Sequence, residues 1–267
     1  MPEGDTVWRT ARRLDQALSG RVLTESDFRV PRWAHLDLVG QPVEATVSRG
    51  KHLLTRLPDL TIHTHLKMEG SWHIYRRGER WRRPGFQARA ILGIADHQTV
   101  GFSLGKVSLI PSGAEARVLG HLGPDLLGPD WDPVAASKNL KADPHRSVGE
   151  ALLDQSLIAG VGNVYRSEIC FLAGVHPDQA IADVDVDAIV GIAKRLLEAN
   201  RDTGAQVTTG DSRPGRDRWV YGRKAKPCRR CGAPIAKRDL SPAGRVVYWC
   251  PYCQATALAG DGARLQP

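Results

Sequence analysis

The sequence predicts a multidomain α+β chain: an N-terminal helix and β-sandwich, then a helical region, then a small cysteine-anchored β-hairpin. Three observations predict it. Apolar residues recur at helical spacing over the first twenty positions and then give way to strand-length runs broken by turns. Two turn signals, Gly123-Pro124-Asp125 and Gly128-Pro129-Asp130, separate this region from one of helical periodicity. Four of the five cysteines lie near the C-terminus as Cys228-x2-Cys231 and Cys250-x2-Cys253, with eighteen residues between the pairs.

In chain order, Val7, Ala11, Leu14 and Leu18 line one face of a first helix, which Asp5 or Thr6 caps and Gly20 stops. Strand-like runs follow near 21–30, 42–49, 51–57, 60–66, 70–75, 86–95 and 98–110. That many strands in so short a span require a two-layer sandwich or flattened barrel. Helices are expected near 133–140, 147–157, 163–173 and 185–202, with Ser147-x2-Glu150 as a capping box. The resulting division is 1–124, a linker 125–133, a helical domain 134–225, a cysteine module 226–254 and a frayed tail 255–267. At 267 residues and 42% hydrophobic the chain is long and apolar enough for two cored domains.

Paired C-x2-C spacing is that of a tetrahedral site with four thiolate ligands, so one structural Zn2+ is expected on Cys228, Cys231, Cys250 and Cys253. The metal supplies folding free energy that so short a segment cannot draw from a core. Two disulfides are the competing reading. The start, Met1 to Asp5, has neither a basic region nor an apolar run, and no stretch is apolar enough to span a membrane. A reducing cytosol is therefore expected, and no membrane partner. Cys170 sits in an apolar helical pattern and reads as an inert core thiol.

Between Arg213 and Arg245 there are eleven Lys or Arg against two Asp, whereas the whole chain carries +8. Net positive charge is thus concentrated on and just before the cysteine module, the footprint of a phosphate-backbone ligand. Trp219, Tyr221, Tyr248 and Trp249 accompany the charges, which favours a folded surface over a solvated tail. The turn at 76–85 holds Arg76, Arg77, Arg80, Arg82 and Arg83, and is either a DNA contact or a solvated hairpin loop. Gly160 and Gly162 permit a tight turn that leaves Asn163 at a helix start, where backbone N–H groups favour a phosphate. Alone, this is also an ordinary helix joint.

Met1-Pro2-Glu3-Gly4, Ser48-Arg49-Gly50-Lys51-His52-Leu53-Leu54, Ala159-Gly160-Val161-Gly162-Asn163 and the four-cysteine tail through Gln254 occur in that order. Together they resemble the formamidopyrimidine-DNA glycosylase/endonuclease VIII family of base-excision repair enzymes, over residues 1–254. The resemblance implies an N-terminal helix plus β-sandwich, a helix–two-turn–helix domain and a zinc finger.

The resemblance also implies a chemistry. Removal of Met1 leaves Pro2 with a free secondary amine as nucleophile, and Glu3 beside it as proton donor and acceptor. An α-amino group has a peptide pKa of about 7.7–8.0, so a neutral fraction exists near pH 7. Attack on the sugar C1′ displaces the base and leaves an iminium, from which β,δ-elimination follows. The family pattern places Lys51, Asn163 and Arg245 on the phosphates around an extruded nucleotide. It places Met68, in His65-Leu66-Lys67-Met68-Glu69-Gly70, as the wedge that fills the stack. As lone residues, Lys51 and Arg245 read as solvated charges and Met68 as sandwich core.

Purine-lesion members carry an Asp-Pro-Arg-Arg-Phe-like loop where this chain has Ser103-Leu104-Gly105-Lys106-Val107-Ser108. Oxidised pyrimidines are therefore the expected substrates, in damaged or abasic duplex DNA, for a monomer of the bacterial cytosol or nucleoid. Asp5-Thr6 replaces the family's usual Pro-Glu, which removes a second glutamate near the nucleophile. Two alternatives stay open: a glycosylase for oxidised purines, and a catalytically weak lesion-binding protein.

Overall fold

The computed structural model describes residues 2–239 and 246–255. Met1, Arg245 and the expected frayed tail beyond residue 255 lie outside the described residues. Two compact units divide at Trp131/Asp132.

The first unit opens with helix α1, Gly4–Leu18, whose buried Val7, Ala11, Leu14 and Leu18 form the expected stripe. Its cap differs from expectation. Glu3 is the N-cap, in extended conformation, and Asp5 and Thr6 lie inside the first turn. Eight strands follow: β1 Glu25–Phe28, β2 Ala45–Arg49, β3 His52–Arg56, β4 Leu60–His65, β5 Ser71–Arg76, β6 Ala88–Gly93, β7 His97–Phe102 and β8 Lys106–Pro111. They build two antiparallel four-stranded sheets, ordered β2-β3-β4-β8 and β1-β6-β7-β5. Leu53 and Ile62 from the first sheet and Phe28, Ala90 and Leu92 from the second meet the α1 stripe in one core. Ile91, Val100 and Phe102 point the other way, into a second cluster with Tyr75 and Trp81 on the outer face of the β1-β6-β7-β5 sheet.

The run expected as one strand over 98–110 is two strands in different sheets. Ser103 has φ +48°, a left-handed conformation that turns the chain through a corner from β7 to β8. Alternation continues on both sides, at Val100, Phe102 and Leu104 and then Val107 and Leu109, and only a change of parity at Gly105-Lys106 marks the corner.

The second unit holds α3 Pro133–Lys141, α4 Val148–Ala151, α5 Asn163–Ala173 and α6 Val186–Arg201; a short α2, Glu115–Leu119, belongs to the first unit. The helix expected over 147–157 ends at Ala151. Ser147 caps it as expected, accepting from Glu150 N. Asp154 then diverts the chain: its carboxylate accepts from Ser156 N at 3.0 Å and Arg146 Nη1 at 2.8 Å. A side chain that offers the backbone such a bond competes with the helix. Gln155 continues the turn, donating to Leu153 O and Val161 O and accepting from Gly160 N.

Strands β9 Ala236–Asp239 and β10 Val246–Trp249 pair antiparallel between the cysteine pairs. This hairpin packs on α5 through Phe171, Val220, Ile235, Cys228 and Cys250. The stronger tie is Glu168 of α5, fully buried. Its carboxylate accepts from Trp219 N at 2.8 Å, Val220 N at 2.9 Å, Tyr221 N at 2.8 Å and the Thr208 hydroxyl. Among the described residues no helix is long and apolar enough to cross a membrane.

Glu168→Ala leaves three backbone N–H donors, that of Val220 buried, without their acceptor. It is expected to lower the stability of the second unit by about 3–5 kcal/mol in urea unfolding. Glu168→Gln keeps the shape but turns one acceptor into a donor facing donors, and is expected to fall in between.

Candidate functional site

Pro2 is partly exposed and precedes Glu3, whose side chain is buried and whose carbonyl accepts from Val7 N at 3.0 Å. The pair is therefore fixed to the first turn of α1, and α1 is fixed by its core stripe.

Lys51 stands in a two-residue hairpin turn between β2 and β3, with Arg49 paired to His52. Gly50 has φ +55° and supplies the positive φ that the first central position of a type II′ turn requires. Its N–H donates to Asp125 Oδ2 at 2.8 Å, and Asp125 Oδ1 accepts from Leu127 N at 3.1 Å. Arg49 Nη1 binds both oxygens of Asp130, at 2.8 and 3.0 Å. The Lys51 turn is thus held from below by a distant carboxylate. Asp125 is 2% exposed, and burial pushes its carboxyl above the usual range. In the sequence it reads only as turn punctuation.

Met68 is 59% exposed at the tip of the β4–β5 turn and does not enter the sandwich core. The turn is tight: Gly70 N donates to Leu66 O at 2.9 Å, and a Cβ on Gly70 would lie 2.3 Å from that oxygen. Lys67 takes φ +54°, its N–H donating to His65 Nδ1 at 2.9 Å.

Between the Lys51 and Met68 turns lies a histidine cluster that motif reading passed over. His52 Nδ1 and His63 Nε2 are 2.8 Å apart, the His52 and His65 ring centroids are 4.9 Å apart, and Ser108 Oγ is 3.3 Å from His63 Nδ1. Burial first, then neighbouring charge, pushes His52 down to about 3 and His63 and His65 down to about 4. Lys106 is among the charges on all three, and Lys51 and Lys67 act on His65. The rings are neutral at pH 7, beside three lysines. The alternation of His63 and His65 on β4, and His52 opposite His65 across the β3–β4 ladder, is the signal that could have found them.

In the second unit Asn163 opens α5, with Gly162 as N-cap and Gly160 at φ +115° making the turn before it. Only 5% of Asn163 is exposed, and its carbonyl accepts from the Ser167 hydroxyl at 3.0 Å. Arg245 falls in the segment between β9 and β10 that lies outside the described residues.

The four cysteines form one cluster, their Sγ atoms all within 4.8 Å of one another. Cys228 and Cys253 are 3.9 Å apart and Cys231 and Cys250 3.4 Å, near the roughly 3.8 Å edge of a tetrahedron of 2.3 Å metal–sulfur bonds. All are free thiols, which excludes the disulfide alternative in this structure. Arg230 N points at Cys228 Sγ and Cys253 N at Cys250 Sγ, each at 3.4 Å, as donors to a thiolate do. The residues fit a bound metal ion. Cys170 is separate, fully buried in α5, its thiol pushed up to about 12 by burial.

Comparison with known proteins gives consistent matches. Residues 1–107 match the formamidopyrimidine-DNA glycosylase N-terminal domain, and 122–209 the formamidopyrimidine-DNA glycosylase H2TH domain. The chain is 52% identical to a probable endonuclease 8 2 of Streptomyces coelicolor, over 99% of this chain and 98% of that one. It is 47% identical to the DNA-(apurinic or apyrimidinic site) lyase Nei2 of Mycolicibacterium smegmatis, over 96% and 100%. In fold it is similar to Lactococcus lactis Fpg, solved with abasic-site DNA: TM-score 0.82, 24% identity, covering 96% and 100% of the two chains.

The neutral histidines give a testable pH dependence. Their folded pKa values lie below the unfolded value of about 6.5, so they bind protons more readily unfolded. Their contribution to stability is complete above about pH 6.5 and is lost as pH falls through the folded values near 4 and 3. Thermal midpoints of the wild type should fall between pH 6.5 and 4 more steeply than those of a His52→Gln/His63→Gln variant. Parallel slopes would refute the assignment.

Proposed function

The chain belongs to the formamidopyrimidine-DNA glycosylase/endonuclease VIII family, and we propose that it excises oxidised pyrimidines from duplex DNA as a bifunctional glycosylase and AP lyase. Full-length identity to relatives named endonuclease 8 and AP lyase supports the activity. The observation that carries the pyrimidine preference is the β7–β8 corner. It is three residues, Ser103-Leu104-Gly105, none of them the arginine or phenylalanine of a purine-lesion loop.

In this reading Pro2 is the N-terminal nucleophile once Met1 is removed. Its amine attacks C1′ of the damaged nucleotide, the C1′–N bond to the base breaks, and the departing base takes a proton. The sugar ring then opens at C1′–O4′ as O4′ takes a proton, which leaves an iminium that acidifies the C2′ protons; elimination of the 3′ phosphate and then the 5′ phosphate follows. Glu3 donates and accepts the protons. Its place on the rigid start of α1 suits a group that must hold one position through several steps. Lys51, Asn163 and Arg245 grip phosphates, and Met68 enters the stack. Lys51 is suited to this by its anchored turn, Met68 by its exposure.

Cys228, Cys231, Cys250 and Cys253 hold one Zn2+, which closes the finger. Four thiolates fill the tetrahedron, so no position is left for water and the ion is structural.

Borohydride trapping on abasic DNA tests the nucleophile. Protein shown by mass spectrometry to begin at Pro2 should form the adduct; protein retaining Met1 should not, and equal trapping by both would sink the assignment. Glu3→Gln should slow base excision about 10²–10⁴-fold while affecting cleavage of a preformed abasic site far less. A panel of lesion duplexes decides between pyrimidine and purine substrates. A protein that binds every duplex but traps on none would be a lesion binder.

Metal analysis should give one zinc per chain. Its chelation should unfold β9 and β10 and remove DNA binding, while the first unit keeps its melting transition.

A further inference from the structure

One guanidinium ties together three loops of the first unit. Arg83, in the β5–β6 connection, donates from Nη1 to Glu69 O at 3.2 Å and Ser71 Oγ at 2.9 Å, both flanking the Met68 turn. Its Nη2 reaches Ser103 Oγ at 3.4 Å in the β7–β8 corner, and its Nε donates to Gln87 Oε1 at 2.9 Å in its own loop. Ser103 N adds a bond to Gln87 O at 2.8 Å. The guanidinium also lies over the Phe102 ring at 5.7 Å.

The same loop carries Phe86 on a short helical turn, Gly85–Gln87. Arg29 Nη1 donates to Gly85 O at 3.3 Å and Arg89 Nη1 to Phe86 O at 3.0 Å. Trp81 anchors the loop, packing on the outer cluster of the β1-β6-β7-β5 sheet and donating to Gln98 Oε1 at 3.2 Å. The backbone around Phe86 is therefore fixed on both sides. Yet its ring is 79% exposed, the most exposed of the large apolar side chains among the described residues. Holding an aromatic ring rigidly in water contributes nothing to folding, since burying it would be favourable. Arg80 and Arg82 of the same loop and Arg76 at the end of β5 are exposed, with Glu79 the one acid in the loop.

We propose that Phe86 is a second DNA-contacting side chain, stacking on an exposed base face beside the gap that Met68 enters. Arg83 is its positioning residue and sets both loops at once. The occupant is the DNA duplex: the loop's exposed arginines complement phosphate, and the loop is tied through Arg83 to the Met68 turn. A preorganised aromatic loses little freedom on stacking, and every base offers a π-face. The placement also compensates for the short corner at Ser103. The aromatic and arginine absent from the β7–β8 connection are present on the neighbouring β5–β6 loop, hydrogen-bonded to that corner. The inference rests on the glycosylase reading above.

The test uses the full chain. Phe86→Ala should slow single-turnover excision from a lesion duplex by about 5- to 100-fold, the loss that removal of one base–aromatic stack brings. Trapping on an abasic single strand should be unchanged, because that needs only the amine. Phe86→Trp should restore duplex activity. 2-Aminopurine placed opposite the lesion should brighten on binding of the wild type and less with Phe86→Ala. Arg83→Lys cannot reproduce the forked contacts. It should lower duplex excision and be non-additive with Phe86→Ala. Wild-type excision and fluorescence from Phe86→Ala would overturn the proposal and leave the glycosylase reading standing. Failure of the wild type to trap on any DNA would overturn that reading instead. Loss of a dimer on Phe86→Ala, in sedimentation, would assign the ring to self-association and also overturn the proposal.

Discussion

The second unit depends on one buried carboxylate. Glu168 sits on α5, five residues after Asn163, and gathers three consecutive backbone N–H groups from 219–221 together with the Thr208 hydroxyl. A metal-anchored hairpin has almost no core of its own, so its orientation must come from elsewhere. Here it comes from α5: Phe171 supplies the apolar contact, Glu168 the polar one, and Gln254 Nε2 donates to Val175 O at 2.7 Å just past the helix. The helix that begins at Asn163 is thus the helix on which the finger is mounted. Such a carboxylate is stable in the interior only because each lone pair is used, which also fixes the path of the chain that uses them.

The first unit solves a different problem. A sandwich presents its chemistry on turns, and turns are mobile unless something outside them holds them. The Lys51 and Met68 turns and the start of α1 each have such a support. The Lys51 turn rests on Asp125, the Met68 turn on a close Gly70 and on Arg83, and the Pro2-Glu3 segment on the core stripe of α1. The supports from Asp125 and Arg83 are polar and long-range, and the groups they position stand outside the core.

That division explains what the sequence could reveal. Local signals carried the α1 stripe, the C-x2-C pairs, the Ser147 cap and the glycine turn before Asn163, because each is a pattern within a few residues. Strand ends were less legible: the corner at Ser103 shows only as a change of parity in an alternating run, and Asp154 ends a helix that periodicity would extend to residue 157. The long-range polar supports were not legible. Nothing local marks Asp125, Arg83 or Glu168 as a support, since the partners they hold in other loops lie 75, 12 to 20, and 40 to 53 residues away. The histidine cluster falls between these cases, half visible as alternation on β4 and half hidden until β3 is laid beside it.

The bond from Gly50 to Asp125 also has a consequence in time. A ribosome delivers residue 50 well before residue 125, and contacts of large sequence separation close late. Strands β2 and β3 can pair as soon as both have emerged, yet the tip between them gains its buried anchor only after the rest of the sandwich has been made. The most local element of the first unit, a two-residue turn, is therefore among the last to acquire its final geometry. A fragment ending before Asp125 would keep the hairpin and lose the support under Lys51.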